Sequence, residues 1–200
     1  METAIWRLTA IELARLIAKG EVGAVEVLQA HLARIAAVNP AVNAITNVLE
    51  QSAMEAALEV DRKRLAGEKL GPLAGVPFTV KENIDVAGSA TTHGVPALRH
   101  AVAPTDAPIV ERLRRACAIP LGRTNLPDLP MRFHTSSQLY RATLNPWDPK
   151  LPPGGSSGGE CVALATWMSA LGLGNDAGGS VRIPALFSGG AALKPSYGRF

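Results

Sequence analysis

The sequence predicts an α/β domain with some parallel strand pairing, on three observations. Helical periodicity occupies most of residues 1–66. Short apolar runs at 76–80, 118–122 and 171–174 read as strands. Segments of helical character separate those runs, and helix–strand alternation of this kind favours parallel pairing. A chain of 200 residues suits one domain or a piece of a larger one. Its 47% apolar content is enough for a substantial core. The chain divides into a helical N-terminal segment, residues 1–66, and a core that carries the chemistry, residues 71–200.

The elements follow in order. Thr9-Ala10-Ile11-Glu12 matches a capping box, in which threonine and glutamate satisfy each other's free amides. Leu13, Leu16 and Ile17 then form a helical stripe that Gly20 ends. A second helix is expected over residues 24–38, with Val25, Leu28, Leu32 and Ile35 on one face and Asn39-Pro40 as its stop. His31 on this helix reads as a surface or core-edge residue. Residues 43–49 suit a short strand, and the Ala/Glu/Leu-rich residues 51–66 a third helix. Residues 76–80 form a buried-strand candidate that delivers Lys81 at its end. Residues 104–118 hold a helix with Ile109, Val110 and Leu113 inward. Residues 125–153 are loop-rich without a clear period. Residues 158–168 are expected to be helical, opening directly from the Gly158-Gly159 bend.

Charge is nearly balanced, with 20 basic and 17 acidic side chains and a net charge of +3. No dense Lys/Arg tract supports nucleic-acid binding. Cys117 and Cys161 lack metal or redox spacing and read as small apolar residues without a disulfide. The N-terminus has no basic start followed by an apolar stretch, so it does not read as a signal peptide. No run has transmembrane length with helical character. A cytoplasmic protein that does not bind membranes is the expectation.

The densest signal is a pair of glycine-framed serines. Ser156 lies in Gly-Gly-Ser-Ser-Gly-Gly, and Ser180 follows Ala177-Gly178-Gly179. Acyl transfer needs an activated nucleophile, a base, and donors aimed at the developing oxyanion. Consecutive amides unobstructed by side chains can converge on one point, which favours Ser180 as nucleophile. His93, His100 and His134 lie in loops with no supporting motif. Lys81 is the better base, because burial lowers a lysine pKa from about 10.4 toward the useful range of about 7–8. Ser156 could then relay the proton between Ser180 and Lys81. On composition and spacing alone a structural reading also stands: the serines as caps in tight turns, and the lysine as an ion-paired residue.

In order along the chain stand Gly71-Pro72-Leu73-Ala74-Gly75-Val76-Pro77-Phe78-x-Val80-Lys81-Glu82-Asn83, Pro120-x-Gly122-x-Thr124-Asn125 and Asn145-Pro146-Trp147-Asp148. They are followed by Pro153-Gly154-Gly155-Ser156-Ser157-Gly158-Gly159, Gly174-Asn175-Asp176-x-Gly178-Gly179-Ser180-x-Arg182-x-Pro184 and Leu193-Lys194-Pro195-Ser196-Tyr197-Gly198-Arg199. This succession resembles the amidase signature family. The resemblance implies a central mixed β-sheet covered by helices, and a Ser–cis-Ser–Lys triad. In it Ser180 is the nucleophile, Ser156 the bridging serine after a cis peptide, and Lys81 the base. It further implies an oxyanion hole from the amides of Ala177, Gly178, Gly179 and Ser180. Asp176 and Arg182 would brace the loops, and Ser157 would support the relay. The implied reaction is hydrolysis of a small or aryl carboxamide through an acyl-enzyme, with no metal or organic cofactor.

The resemblance carries departures. Family domains run to about twice this length, so a truncated domain is the expectation, with an apolar sheet edge and helix faces exposed. A homo-oligomer and a missing C-terminal half both stay open. Family members usually have glycine where this chain has Cys117, Arg141 and Ala192. Cys117 and Ala192 are expected to add volume at tight spots, and Arg141 to sit at the substrate mouth. Two further readings remain. One is the amidase subunit of a glutamine-dependent tRNA amidotransferase, against which the stretch Leu126-Pro127-Asp128-Leu129-Pro130-Met131-Arg132-Phe133-His134-Thr135 fits general amidases better. The other is a fragment that keeps the motifs without activity.

Overall fold

A computed structural model describes residues 4–199. The helices are α1 (Ala10–Lys19), α2 (Ala24–Val42), α3 (Glu50–Leu65), α4 (Pro108–Arg115), α5 (Gly158–Ala165) and α6 (Arg182–Ser188). The main strands are β1 (Ile45–Val48), β2 (Pro77–Lys81), β3 (Ile119–Thr124) and β6 (Leu171–Leu173), with a small hairpin of β4 (Ser136–Ser137) and β5 (Arg141–Ala142). The four main strands form one sheet in the order β1-β3-β2-β6. β2 runs parallel to both β3 and β6, and β1 antiparallel to β3, so the sheet is mixed. No helix among the described residues is long and apolar enough to cross a membrane.

The sheet separates two apolar clusters. Leu13, Ile17, Leu28, Ala57, Ile119, Leu121 and Val162 belong to the larger one, built from α1–α3, β3 and α5. Phe78, Val80, Val86, Val110 and Ala118 form the smaller one under α4. Strand side chains alternate between faces. With Phe78 and Val80 committed to the α4 side, Thr79 and Lys81 are turned toward α5. That alternation aims the lysine at the glycine-rich loops.

The capping box at Thr9 and Glu12 is present: the Thr9 amide donates to Glu12 Oε2 at 2.8 Å, and the Glu12 amide to Thr9 Oγ1 at 3.3 Å. α2 runs past the stop expected at Asn39-Pro40. Pro40 lies in its last turn, where it forgoes a single amide bond, and Asn39 Oδ1 accepts the Ala44 and Ile45 amides at 2.9 and 2.8 Å. His31 is fully buried rather than at the surface, with Nδ1 2.9 Å from the Val27 carbonyl oxygen. The hairpin β4–β5 and helix α6 have no periodic signal, since both are too short to show one. Cys117 and Cys161 are free thiols.

The expected volume problem at Cys117 and Ala192 is not what distinguishes these positions. Ala192 is exposed. Cys117 and Arg141 instead hold left-handed backbone, at φ 65° and 64°. L-residues other than glycine pay about 1–2 kcal/mol there because Cβ crowds the following carbonyl. An exposed apolar surface is present. β6 is a sheet edge, and Leu186, Leu193 and Trp147 are 79%, 84% and 74% exposed.

Candidate active site

Lys81 closes β2 and is completely buried. Its Nζ lies 2.7 Å from Ser156 Oγ and 2.8 Å from Asn175 Oδ1. Burial pulls its pKa down to about 8, against the opposing pull of the Glu160 and Asp176 carboxylates. Ser156 is buried and follows a cis peptide bond from Gly155.

Several contacts shape the loop that presents Ser156. Thr135 Oγ1 donates to the Gly154 carbonyl at 2.9 Å and accepts the Gly158 amide at 3.0 Å. The Gly159 amide donates to the Asn125 carbonyl at 3.2 Å. A Cβ on Gly159 would lie 2.5 Å from backbone atoms of Asn125, so only glycine lets α5 start against β3's end. Asn125 in turn donates through Nδ2 to the Arg141 carbonyl and to Thr143 Oγ1, both at 3.0 Å. The hairpin β4–β5 is thereby fastened to the loop it flanks.

Ser180 belongs to the second glycine bend. The two serine loops are joined by the Ser157 amide, which donates to the Ser180 carbonyl at 2.9 Å. The Ser180 hydroxyl has no hydrogen-bond partner among the described residues, so the Lys81–Ser156 link does not extend to it in this arrangement. The Ser157 hydroxyl is likewise buried without a partner.

Asp176 organises the bend. Its carboxylate accepts the Gly179 amide at 2.6 Å, the Val181 amide at 3.1 Å and the Arg182 amide at 3.2 Å. Arg182 Nε and Nη2 also donate to it, each at 2.9 Å. The Arg182 guanidinium and these amides hold the Asp176 carboxyl well below the usual carboxylate range. The Gly179 amide is therefore engaged by Asp176 rather than free in this conformation. The amides of Ala177, Gly178 and Ser180 have no partner among the described residues.

Three residues escape a reading of the sequence. Asn175 stands there only as part of a motif, yet it is the second partner of the Lys81 amine. Thr135 lies in a stretch without periodicity. Glu160 is a carboxylate in an otherwise apolar helix, and that contrast is its available signal. It is buried, accepts from Thr79 Oγ1 and, at 2.7 Å, from Thr124 Oγ1. Burial pushes its pKa up to about 7. A second buried group lies on the other side of Lys81: Arg123 pairs with Glu82 at 3.3 Å and donates to the Ile84 carbonyl at 2.7 Å, while Tyr140 donates to Glu82 at 2.6 Å.

A cavity of about 700 Å³ opens beside β6, lined by Ser157, Glu160, Asn175, Asp176, Leu193 and Tyr197 among others. Among the described residues no group of three or more His, Cys, Asp or Glu side chains is placed to hold a metal ion.

Comparison with known proteins finds relatives in sequence and in fold. The chain is 45% identical to an indoleacetamide hydrolase of Bradyrhizobium diazoefficiens, over 98% of this chain and 37% of the relative. It is 46% identical to a glutamyl-tRNA(Gln) amidotransferase subunit of Salinispora tropica, over 95% of this chain and 39% of the relative. Among solved structures it superposes on the peptide amidase of Stenotrophomonas maltophilia with a TM-score of 0.86 and 34% identity, over 91% of this chain and 39% of that one. The chain thus spans less than two-fifths of the length of these relatives. A family model described as Amidase matches residues 26–200, and with it the chain belongs to the amidase signature family.

Proposed function

We propose that the chain carries the acyl-transfer residues of an amidase that hydrolyses the C–N bond of a small or aryl carboxamide. The observation that carries this reading is the 2.7 Å contact between a buried lysine at a strand end and Ser156 in the glycine-rich loop. Asn175 Oδ1 can only accept, so it takes one N–H of Lys81. A neutral Lys81 then keeps its lone pair for the Ser156 proton.

In the proposed reaction Lys81 takes the Ser156 proton as Ser156 takes that of Ser180. The Ser180 Oγ attacks the carboxamide carbon. The free amides of Ala177, Gly178 and Ser180 stabilise the oxyanion, and each such donor is worth about 10²–10³ in rate. The Gly179 amide holds Asp176 and so fixes the bend. The C–N bond then breaks, with the proton returned from Lys81 to the leaving nitrogen through Ser156. Ammonia or an amine leaves at that step, and water then cleaves the acyl-enzyme, giving the carboxylate and restoring the Ser180 hydroxyl. The Ser180 hydroxyl has no partner among the described residues, and catalytic hydrogen bonds of this kind commonly tighten only in the substrate complex. The proposed site needs neither metal nor organic cofactor and acts in the cytoplasm.

A second reading, the amidase subunit of a glutamine-dependent tRNA amidotransferase, draws on the 46% identity to one of that kind. The loop that separates the two readings packs on the site: a Cβ on Gly155 would meet the backbone of Arg132, Phe133 and His134 within 2.9 Å. Met131 and Phe133 are 81% and 61% exposed beside it. Either whole activity would draw on further polypeptide covering β6 and α6.

A serine-directed fluorophosphonate tests the assignment. Wild-type protein is expected to label, and Ser180→Ala to lose the label. Equal labelling of the two would overturn the role of Ser180. Ammonia release from aryl carboxamides against glutamine separates the two substrate readings.

A further inference from the structure

Glu160 has a seat built across three neighbouring strands. Thr124, on β3, is the register partner of Lys81 on β2. Thr79 lies two residues before Lys81 and therefore on the same face. Both threonine hydroxyls donate to the Glu160 carboxylate. Gly172, on β6, is the register partner of Thr79. A Cβ there would collide with Glu160 Oε1, so the third strand makes room for the carboxylate. The seat lies under the stretch of β2 that ends in the lysine.

A buried carboxylate held this way needs a reason, because taking a charge out of water is unfavourable unless it is compensated. Two hydroxyl donors compensate it in part. Lys81, on the same face of the same strand, and Arg123 both favour its charged form further, without a direct ion pair to it among the described residues. We propose that Glu160 is a positioning residue that acts through Lys81, supplying the negative charge that holds the amine against Ser156 and Asn175 and sets its protonation balance. The proposal rests on Lys81 being the base of the amidase site.

The charged and titratable groups that face Lys81 are few. Glu160 and Cys161 come from α5, Asp176 from the loop after β6, and Arg123 with Glu82 from β3 and the residue following β2. Glu160 and Asp176 favour the ammonium form of Lys81, and Cys161 does so more weakly. The burial of Cys161 pushes its thiol up to about 12, so it stays neutral near pH 8. Asp176 is already neutralised by Arg182. Arg123 is paired with Glu82. Glu160 is thus the carboxylate facing Lys81 that forms no ion pair among the described residues, with Arg123 acting on it only at longer range.

The test is the titration of Lys81 Nζ in the 200-residue chain labelled with ¹⁵N-lysine, its resonance identified by its loss in Lys81→Met. Replacing Glu160 by glutamine removes the charge while leaving a side chain that fills the seat. The midpoint of Lys81 is expected to fall by about one unit or more, as loss of a nearby opposite charge disfavours the ammonium. The rising limb of the fluorophosphonate labelling profile is expected to move to lower pH by the same amount. An unchanged midpoint in folded Glu160→Gln protein would overturn the proposal. Should that variant fail to fold, Thr124→Val carries the test. It keeps the carboxylate but removes a donor to its charged form, so the Lys81 midpoint must fall, by less than in the glutamine variant, and no movement overturns the proposal. Wild-type protein that titrates as expected but takes no label would count against the amidase reading and leave the Glu160–Lys81 coupling standing.

Discussion

Lys81 ends its strand with the whole side chain buried, and burial is the largest influence on its pKa, which falls to about 8. That cause is readable from the apolar run before it, because alternation along a strand fixes what faces the core. The partner Ser156 is readable from its glycine frame. Asn175 and Glu160 are not, since each depends on a register between segments far apart in sequence. Cys117 and Arg141 show the limit from the other side. Their positions stand out as departures from glycine, but only φ values of 65° and 64° show that backbone, not volume, is at stake. Arg141 is exposed, and its contact with Asn125 uses the main-chain carbonyl, so the side chain can be removed freely. Arg141→Gly is expected to stabilise the fold by about 0.5–1 kcal/mol, the relief of left-handed strain less the added unfolded-state freedom of glycine. A thermal melt should show Tm rising by about 1–4 °C; a lowered Tm would mean that φ carries no strain there.

At the scale of elements, the site is a junction of β2, the start of α5 and the bend before α6. α1, with its stripe and capping box, and α3, with its Ala/Glu/Leu-rich composition, can be found from the sequence. α6 and the β4–β5 hairpin cannot, because seven-residue and two-residue elements are held by outside contacts rather than by periodicity. α6 is tied down by Asn145 Nδ2, which donates to the Phe187 carbonyl at 3.1 Å, and by Trp147 Nε1, which donates to the Ser188 carbonyl at 2.8 Å. The junction at α5 leaves no room for a side chain. A methyl group on Gly159 meets main-chain atoms of Asn125 at 2.5 Å and of Ala44 at 2.7 Å, and backbone cannot swing aside as a side-chain tip can. Gly159→Ala is therefore expected to cost about 3 kcal/mol, at the upper end for overpacking. Chemical denaturation measures it, and a loss under about 1 kcal/mol would contradict the packing described for this junction.

Across the whole molecule, a mixed sheet with the larger core on one side and the α4 cluster on the other leaves β6 and α6 uncovered. The α/β class and the central mixed sheet follow from the pattern of apolar runs and from the family resemblance. The order β1-β3-β2-β6 does not, because strand order is decided by which helices find room on each face. That order sets the chemistry: it places Lys81 between β3 and β6, with Thr124 on one side and the glycine bend that follows β6 on the other. In the proposed mechanism the fold presents a neutral lysine to a serine relay. The rate of fluorophosphonate labelling as a function of pH, with the adduct located by mass spectrometry, tests it most directly. Below the Lys81 pKa the amine is protonated and cannot accept, so labelling should be slow at pH 6, rise through a midpoint near 8, and level off above it, with the adduct on Ser180. A rate that does not depend on pH between 6 and 9 would overturn Lys81 as the base, and an adduct on another residue would overturn Ser180 as the nucleophile.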